Sequence, residues 1–170
     1  MICPACGGDN LDGVVDCESC GQALSDFTLS EPSTAVERSL LVDRVQVLSP
    51  KTPVHTPRDT PVRAVLAMLV ERKIGCVVVT DDGKPVGVFS ERDALVKLGT
   101  AAASRSDRPV SEFMTAPPET LEIGAKLAFA LQRMDVGGYR HLPIVDDAGT
   151  LTGVISVRDI LKYLSDKLAS

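Results

Sequence analysis

One stretch of this chain is written twice. Gly87-Val88-Phe89-Ser90-Glu91-Arg92-Asp93-Ala94-Leu95 returns 66 residues later as Gly153-Val154-Ile155-Ser156-Val157-Arg158-Asp159-Ile160-Leu161. Upstream, Val78-Val79-Thr80-Asp81-Asp82 returns as Pro143-Ile144-Val145-Asp146-Asp147 at an offset of 65, so one residue is inserted in the turn between. Self-similarity at a fixed spacing means one supersecondary unit used twice, each copy needing the other to bury its apolar face. A unit of about 55–60 residues is marginal for independent stability, and two copies packed together share a core.

Each copy reads as strand, helix, strand, strand, helix. In the first, Thr60 is placed to cap a helix with Pro61 in its first turn, a favoured position for proline. Val62, Val65, Leu66, Leu69 and Val70 follow the stripe of an amphipathic helix, and Gly75 lies just past its end. Cys76 to Thr80 is a β-branched run, Asp81-Asp82-Gly83 a turn, and Val86 to Phe89 a second strand. Ser90 opens another helix. The second copy predicts a helix over Ile123 to Met134, ended by Gly137-Gly138, and residues 99–110 join the copies. The fold class is therefore α/β, an intimately paired repeat.

Ahead of the repeats stand four of the five cysteines. Cys3-Pro4-Ala5-Cys6-Gly7 and Cys17-Glu18-Ser19-Cys20-Gly21 are two Cys-x2-Cys units with ten residues between them. Two intervening residues let both thiolates of a pair turn towards one ion, and the following glycine permits the positive φ of a tight knuckle. Cys3, Cys6, Cys17 and Cys20 make a closed tetrahedral sulfur shell that suits structural Zn²⁺ and leaves no open position for metal catalysis. The spacing resembles the zinc ribbon, over residues 1–22. Iron, in a rubredoxin-like site, is the second choice of metal, because rubredoxins are longer and have an aromatic core. The first thirty residues hold no Lys or Arg but do hold Asp9, Asp12, Asp16, Glu18 and Asp26. Phosphate contact needs cations, so this segment points to protein docking or self-stabilisation rather than nucleic acid. For so short a segment, metal binding and folding are one event.

Gln22 to Ser33 is rich in Ser, Asp, Glu and Pro and reads as a linker. Val36, Leu40, Leu41 and Val45 then have near-helical spacing. The organisation expected is a ribbon over 1–22, linker and short helix over 23–44, and repeats over 45–99 and 110–168. Hydrophobic residues make up 44% of the 170, enough for a real core, and with no Trp that core is aliphatic. The net charge of −5 argues against general attraction to nucleic acid or anionic membrane. The longest apolar run, Ala64 to Val70, is far short of the ~20 residues of a membrane span. Met1-Ile2-Cys3-Pro4 has no charged or apolar leader, and a cytoplasmic location is the default expectation.

The recurring Gly-x-x-Ser-x-x-Asp after a strand, with Leu142-Pro143-Ile144-Val145-Asp146 and the Pro-x-x-Thr openings, resembles the cystathionine-β-synthase (CBS) domain family. The resemblance covers roughly residues 45–166 and implies one CBS pair, a Bateman module. It implies an adenine nucleotide such as AMP, ADP or ATP, or a related adenosyl ligand, bound between the repeats, and it implies a homodimer. It also implies that Asp93 and Asp159 hold ribose hydroxyls, with Ser90 and Ser156 near ribose or phosphate. Arg92 and Arg158 lie in the same helical turn and add positive charge. Arg140 and His141, ahead of Leu142 and Pro143, stand where some family members contact phosphate, whereas Gly75-Cys76 at the matching place in repeat one supply no charge. Repeat two is then the better phosphate site.

A plainer reading covers the same motif. Ser-x-x-Asp at a helix start is a capping-box variant favoured by the helix dipole, and caps alone would account for both copies. His141 reads equally as a strand-edge polar residue, His55 faces solvent or a ligand edge, and Cys76 is a small core residue. With only two His and no phosphate loop or Ser/His or Cys/His constellation, the chain is expected not to be an enzyme. Three functions are in view. The first is an adenosyl-ligand sensor that signals to a protein partner, and the second a ligand-free adaptor that dimerises through the pair and docks a protein on the ribbon. The third is a regulator that binds nucleic acid through the ribbon, against which the ribbon's lack of cations speaks.

Overall fold

The computed structural model describes residues 3, 6, 8–10, 14–24 and 34–169. Gly7, the linker residues 25–33 and the first two residues lie outside them. Helix α1, Ala35–Val42, falls where the apolar spacing predicts it. It starts on a reciprocal cap: the Thr34 hydroxyl accepts from the Glu37 amide at 3.1 Å, and the Glu37 carboxylate accepts from the Thr34 amide at 2.9 Å. A 3₁₀ turn, Val45–Leu48, follows.

The first repeat comprises β1 (His55–Pro57), α2 (Val62–Arg72), β2 (Cys76–Asp81), β3 (Lys84–Ser90) and α3 (Glu91–Asp93), which passes into a π-helical stretch over Ala94–Leu98. A short helix, α4 (Ala102–Arg105), lies in the connection. The second repeat comprises β4 (Leu121–Glu122), α5 (Leu127–Val136), β5 (His141–Val145), β6 (Leu151–Ser156) and α6 (Val157–Leu168). Each makes a three-stranded sheet, in the orders β1-β2-β3 and β4-β5-β6. The first pair of each sheet is parallel and the second antiparallel. Each hairpin has one register shift, between Val79 and Thr80 and between Ile144 and Val145.

Two helix starts differ from the sequence expectation. Thr60 does not cap α2; its hydroxyl lies 2.7 Å from that of Thr56, a buried threonine. The first α2 amides are satisfied instead by the connection between repeats, Val62 donating to Arg108 O and Arg63 to Ser106 O, both at 2.9 Å. Helix α5 begins at Leu127 rather than Ile123, because Glu122–Ala125 form a turn, with Ala125 donating to Glu122 O at 3.0 Å. Val45 and Leu127 then bond Ala125 O and Asp43 O, tying the segment after α1 to this turn.

The repeats exchange their leading segments. Lys51 of repeat one pairs with Val154 on β6, and Thr115 of repeat two pairs with Val88 on β3. The motif glycine makes each crossing possible. A Cβ on Gly87 would stand 2.2 Å from Met114 Sδ, and one on Gly153 would stand 2.9 Å from Pro50 Cβ. There are two cores, mainly aliphatic but built around buried phenylalanines. Val62, Val65, Val77, Val79 and Phe89 centre the first, and Leu127, Phe129, Leu142, Ile144 and Ile155 the second. Among the described residues no helix is long and apolar enough to cross a membrane.

Candidate functional site

At the end of β3 the Ser90 amide and hydroxyl both donate to Asp93 Oδ2, at 2.9 and 2.6 Å. The end of β6 repeats the arrangement: the Ser156 amide and hydroxyl donate to Asp159 Oδ2 at 2.8 and 2.6 Å. The Ser-x-x-Asp motif is thus a cap in both copies. The cap uses only one carboxylate oxygen. Asp93 Oδ1 accepts from the Thr115 hydroxyl at 2.8 Å and lies 2.7 Å from Lys97 Nζ. Asp159 Oδ1 accepts from Lys51 Nζ at 2.8 Å. Thr115 and Lys51 are the residues each repeat inserts beside the other's hairpin, so the strand exchange decides what meets the second oxygen.

Each aspartate lines a cavity built from both repeats. The Asp93 cavity, about 340 Å³, takes Ser90, Arg92 and Lys97 from repeat one and Thr115, Glu119 and Tyr139 from repeat two. The Asp159 cavity, about 410 Å³, takes Ser156 and Arg158 from repeat two and Lys51, Lys73 and Glu91 from repeat one. Both volumes fall in the usual range of small-molecule sites, about 300–1,000 Å³. Arg140 and His141 line both cavities. Burial alone would raise the Asp93 carboxyl, but the hydrogen bonds from Lys97, Ser90 and Thr115 outweigh it and hold the group below its ordinary range. Burial acts the same way on Asp159, and Lys51 and Ser156 outweigh it there. Burial lowers the His141 pKa, against the attraction of Glu91 and Asp159. These cationic, carboxylate-centred clefts sit in a chain whose net charge is −5.

The pattern of two interlocked repeats extends to known proteins. The family model of the CBS domain matches residues 45–99 and 110–166. The chain belongs to the CBS domain family. An uncharacterized protein from Acidianus ambivalens is 36% identical over 123 residues, covering 71% of this chain and 72% of that one. An uncharacterized protein from Methanopyrus kandleri is 32% identical over 108 residues; this chain spans 55% of its length, and the match covers 63% of this chain. Among solved structures, a CBS domain protein from Pyrobaculum aerophilum complexed with AMP superposes with a TM-score of 0.62. It is 30% identical, over 73% of this chain and 99% of that one.

Within this CBS pair the sequence-predicted residues divide. Ser90, Arg92 and Asp93 line one cleft, Ser156, Arg158 and Asp159 the other, and Arg140 and His141 both. Leu142 and Pro143 line neither; they are buried on β5, Leu142 completely. They lie on the strand that carries His141, and Leu142 belongs to the core of repeat two. His55 is exposed at the β1 start, with Nδ1 3.4 Å from the Thr80 hydroxyl. Cys76 is buried, and desolvation, with Asp93 and Glu91 adding to it, pushes its thiol up to about 12. Sequence reasoning missed Lys51, Lys97, Thr115, Glu119 and Tyr139. Lys51 and Thr115 occupy matching places ahead of the repeats, 64 residues apart, but their residue types differ and nothing local marks them.

The N-terminal cysteines form one cluster. Their four sulfurs lie within 4.8 Å of one another, with Cys3–Cys20 and Cys6–Cys17 both at 3.7 Å. A tetrahedron of metal–sulfur bonds of about 2.3 Å has edges of about 3.8 Å, so this donor set fits a zinc ribbon. Gly21 has the positive φ, 69°, that the second knuckle was expected to need. The cluster rests on repeat two. Cys3, Cys17 and Leu24 join its core, and Gln22 is 7% exposed, so Gln22–Leu24 pack rather than link. Gln22 Oε1 accepts from Arg133 Nη2 at 3.1 Å, and Gln22 Nε2 donates to Gln132 Oε1 at 3.3 Å. Arg133 also pairs with Glu119 at 3.6 Å and bonds Thr120 O. Pro118 and Glu119 line both the Asp93 cleft and the gap beside Cys6 and Cys20.

Proposed function

We propose that this chain is a regulatory protein that binds an adenine nucleotide or related adenosyl ligand between its CBS repeats and passes the bound state to a protein partner, with no catalysis of its own. The observation that carries the reading is the divided carboxylate. Oδ2 of each motif aspartate caps a helix while Oδ1 is held by a side chain lining the same cleft, so the motif caps and still offers an acceptor to ribose hydroxyls. A ligand that displaces Lys51 or Lys97 from Oδ1 differs in its interaction with the two arrangements, and that difference is what moves an equilibrium. The AMP complex of the Pyrobaculum aerophilum relative supports the ligand class.

The four-cysteine cluster would hold zinc through Cys3, Cys6, Cys17 and Cys20 and give this segment a fixed shape. Its support on Arg133, which pairs with Glu119 at the cleft wall, gives a bound ligand a physical route to the ribbon surface. A homodimer fits the exposed apolar residues at matching places in the two repeats. Val70 and Val136 are 77% and 82% exposed, Leu95 and Leu161 78% and 58%.

The test is thermal unfolding of the zinc-loaded protein against AMP, ADP, ATP, NAD and S-adenosylmethionine, with Asp93→Ala and Asp159→Ala alongside. A ligand that binds only the folded state, at ~100 times its Kd, adds about 2.7 kcal/mol. A shift removed by either variant supports the sensor. No shift with any compound leaves the caps as the motif's only role and favours an adaptor.

A further inference from the structure

The two clefts do not have separate cationic ends. Arg140 and His141 line both. The matching positions in repeat one, Gly75 and Cys76, offer no side chain and a buried thiol. The missing side chain is what lets the imidazole lie across the junction, since a Cβ on Gly75 would stand 2.6 Å from His141 Nε2. Duplication has therefore supplied two motif carboxylates and one Arg-His pair between them.

We infer that Arg140 and His141 form a single phosphate-binding station shared by the two clefts, so that the chain holds one phosphorylated adenosyl ligand, in the Asp159 cleft, and an uncharged adenosyl compound in the Asp93 cleft. The inference rests on the proposed reading of both clefts as adenosyl sites. The cations decide which cleft takes the phosphate. Lys73, Arg140 and Arg158 line the Asp159 cleft and form no ion pair among the described residues; Glu91 is the one carboxylate there besides Asp159 itself. In the Asp93 cleft Lys97 is taken up by Asp93, Met114 O and the Thr115 hydroxyl. Arg92 and the shared Arg140 remain, Glu119 opposes them, and Tyr139 and Val96 supply an apolar wall. Two phosphates brought to one guanidinium repel each other. The second also forgoes a charge-assisted hydrogen bond, a loss of about tenfold or more in affinity.

Calorimetric titration of the zinc-loaded full chain tests this with AMP and with 5′-methylthioadenosine, which carries no phosphate. AMP should bind with one tight equivalent and a second about tenfold or more weaker. Protein given one equivalent of methylthioadenosine should still take one AMP in the tight class. Asp159→Asn should remove the tight AMP equivalent. Arg140→Ala, a change at an exposed position, should weaken that equivalent and narrow the gap between the two AMP affinities to the part set by Lys73 and Arg158. Two AMP equivalents of equal affinity in the unaltered chain would overturn the shared station, as would a gap that Arg140→Ala leaves unchanged; the adenosyl reading stands after either result. Binding of neither compound would remove both.

Discussion

The divided carboxylates predict unequal costs for the same substitution in the two repeats. Asp93→Ala removes an acceptor that is 8% exposed. It leaves the Ser90 amide and hydroxyl without their cap, the Thr115 hydroxyl without its acceptor at 2.8 Å, and Lys97 without its counter-charge. The cap is worth about 1 kcal/mol. A part-buried hydrogen bond to a charged group adds about 1.5–3 kcal/mol. The Lys97 pair is discounted towards the low end of about 0–1 kcal/mol, because the lysine side chain is 36% exposed. The whole is roughly 3 kcal/mol. Asp159→Ala loses the same cap, but its other partner is a lysine 69% exposed, so roughly 1–1.5 kcal/mol is expected. For a chain of this size, about 2–4 °C of Tm per kcal/mol gives a fall of about 6–12 °C for Asp93→Ala against about 2–6 °C for Asp159→Ala. Differential scanning calorimetry of the zinc-loaded, ligand-free variants measures both. Equal falls, or a larger one for Asp159→Ala, would refute the argument that the exchanged Thr115 strengthens one site more than Lys51 strengthens the other.

Gly75→Ala forces His141 from the junction, and nucleotide affinity should fall while the Ser90 and Ser156 caps persist; titration of the folded variant with AMP reads it. Arg133→Ala removes one of the two side-chain hydrogen bonds that tie Gln22 to repeat two and should speed metal loss to a chromophoric chelator by roughly 5–30-fold, the equivalent of one or two kcal/mol, followed by absorbance of the chelator–metal complex. Both motif aspartates titrate below their ordinary values in the fold, so the native state binds fewer protons than the unfolded one. Their contribution to stability is complete above about pH 4 and is lost as pH falls through the folded values. Tm measured against pH should therefore fall less steeply below about pH 4 in Asp93→Asn than in the unaltered chain. Leu95→Lys with Leu161→Lys should convert a dimer to monomer by light scattering, with Tm little changed because both positions are exposed.

The repeat was legible because side-chain pattern and turn chemistry are local. The β-branched run from Cys76 to Thr80, the Asp81-Asp82-Gly83 turn and the Ser-x-x-Asp cap act within a few residues, and the structure has each of them where the pattern puts it. Helix starts were less legible because their partners can be remote. Thr60 has the composition of a cap, but the α2 amides found carbonyls at Ser106 and Arg108, more than forty residues away. Gln22 to Leu24 look like linker by composition, and only the fit against repeat two shows that they pack.

By itself, then, the sequence determined the duplicated α/β unit, the four-cysteine cluster and the motif aspartates, all of which follow from short-range spacing. The tertiary structure decided what surrounds those aspartates. Lys51 and Thr115 reach them only because each repeat lends its leading segment to the other's hairpin, across glycines whose missing side chains leave the space. It also decided that Arg140 and His141, which the sequence assigned to repeat two alone, belong to both clefts. Where two copies meet, a residue at their junction faces its neighbour's site as well as its own, and no periodicity within one copy can carry that information.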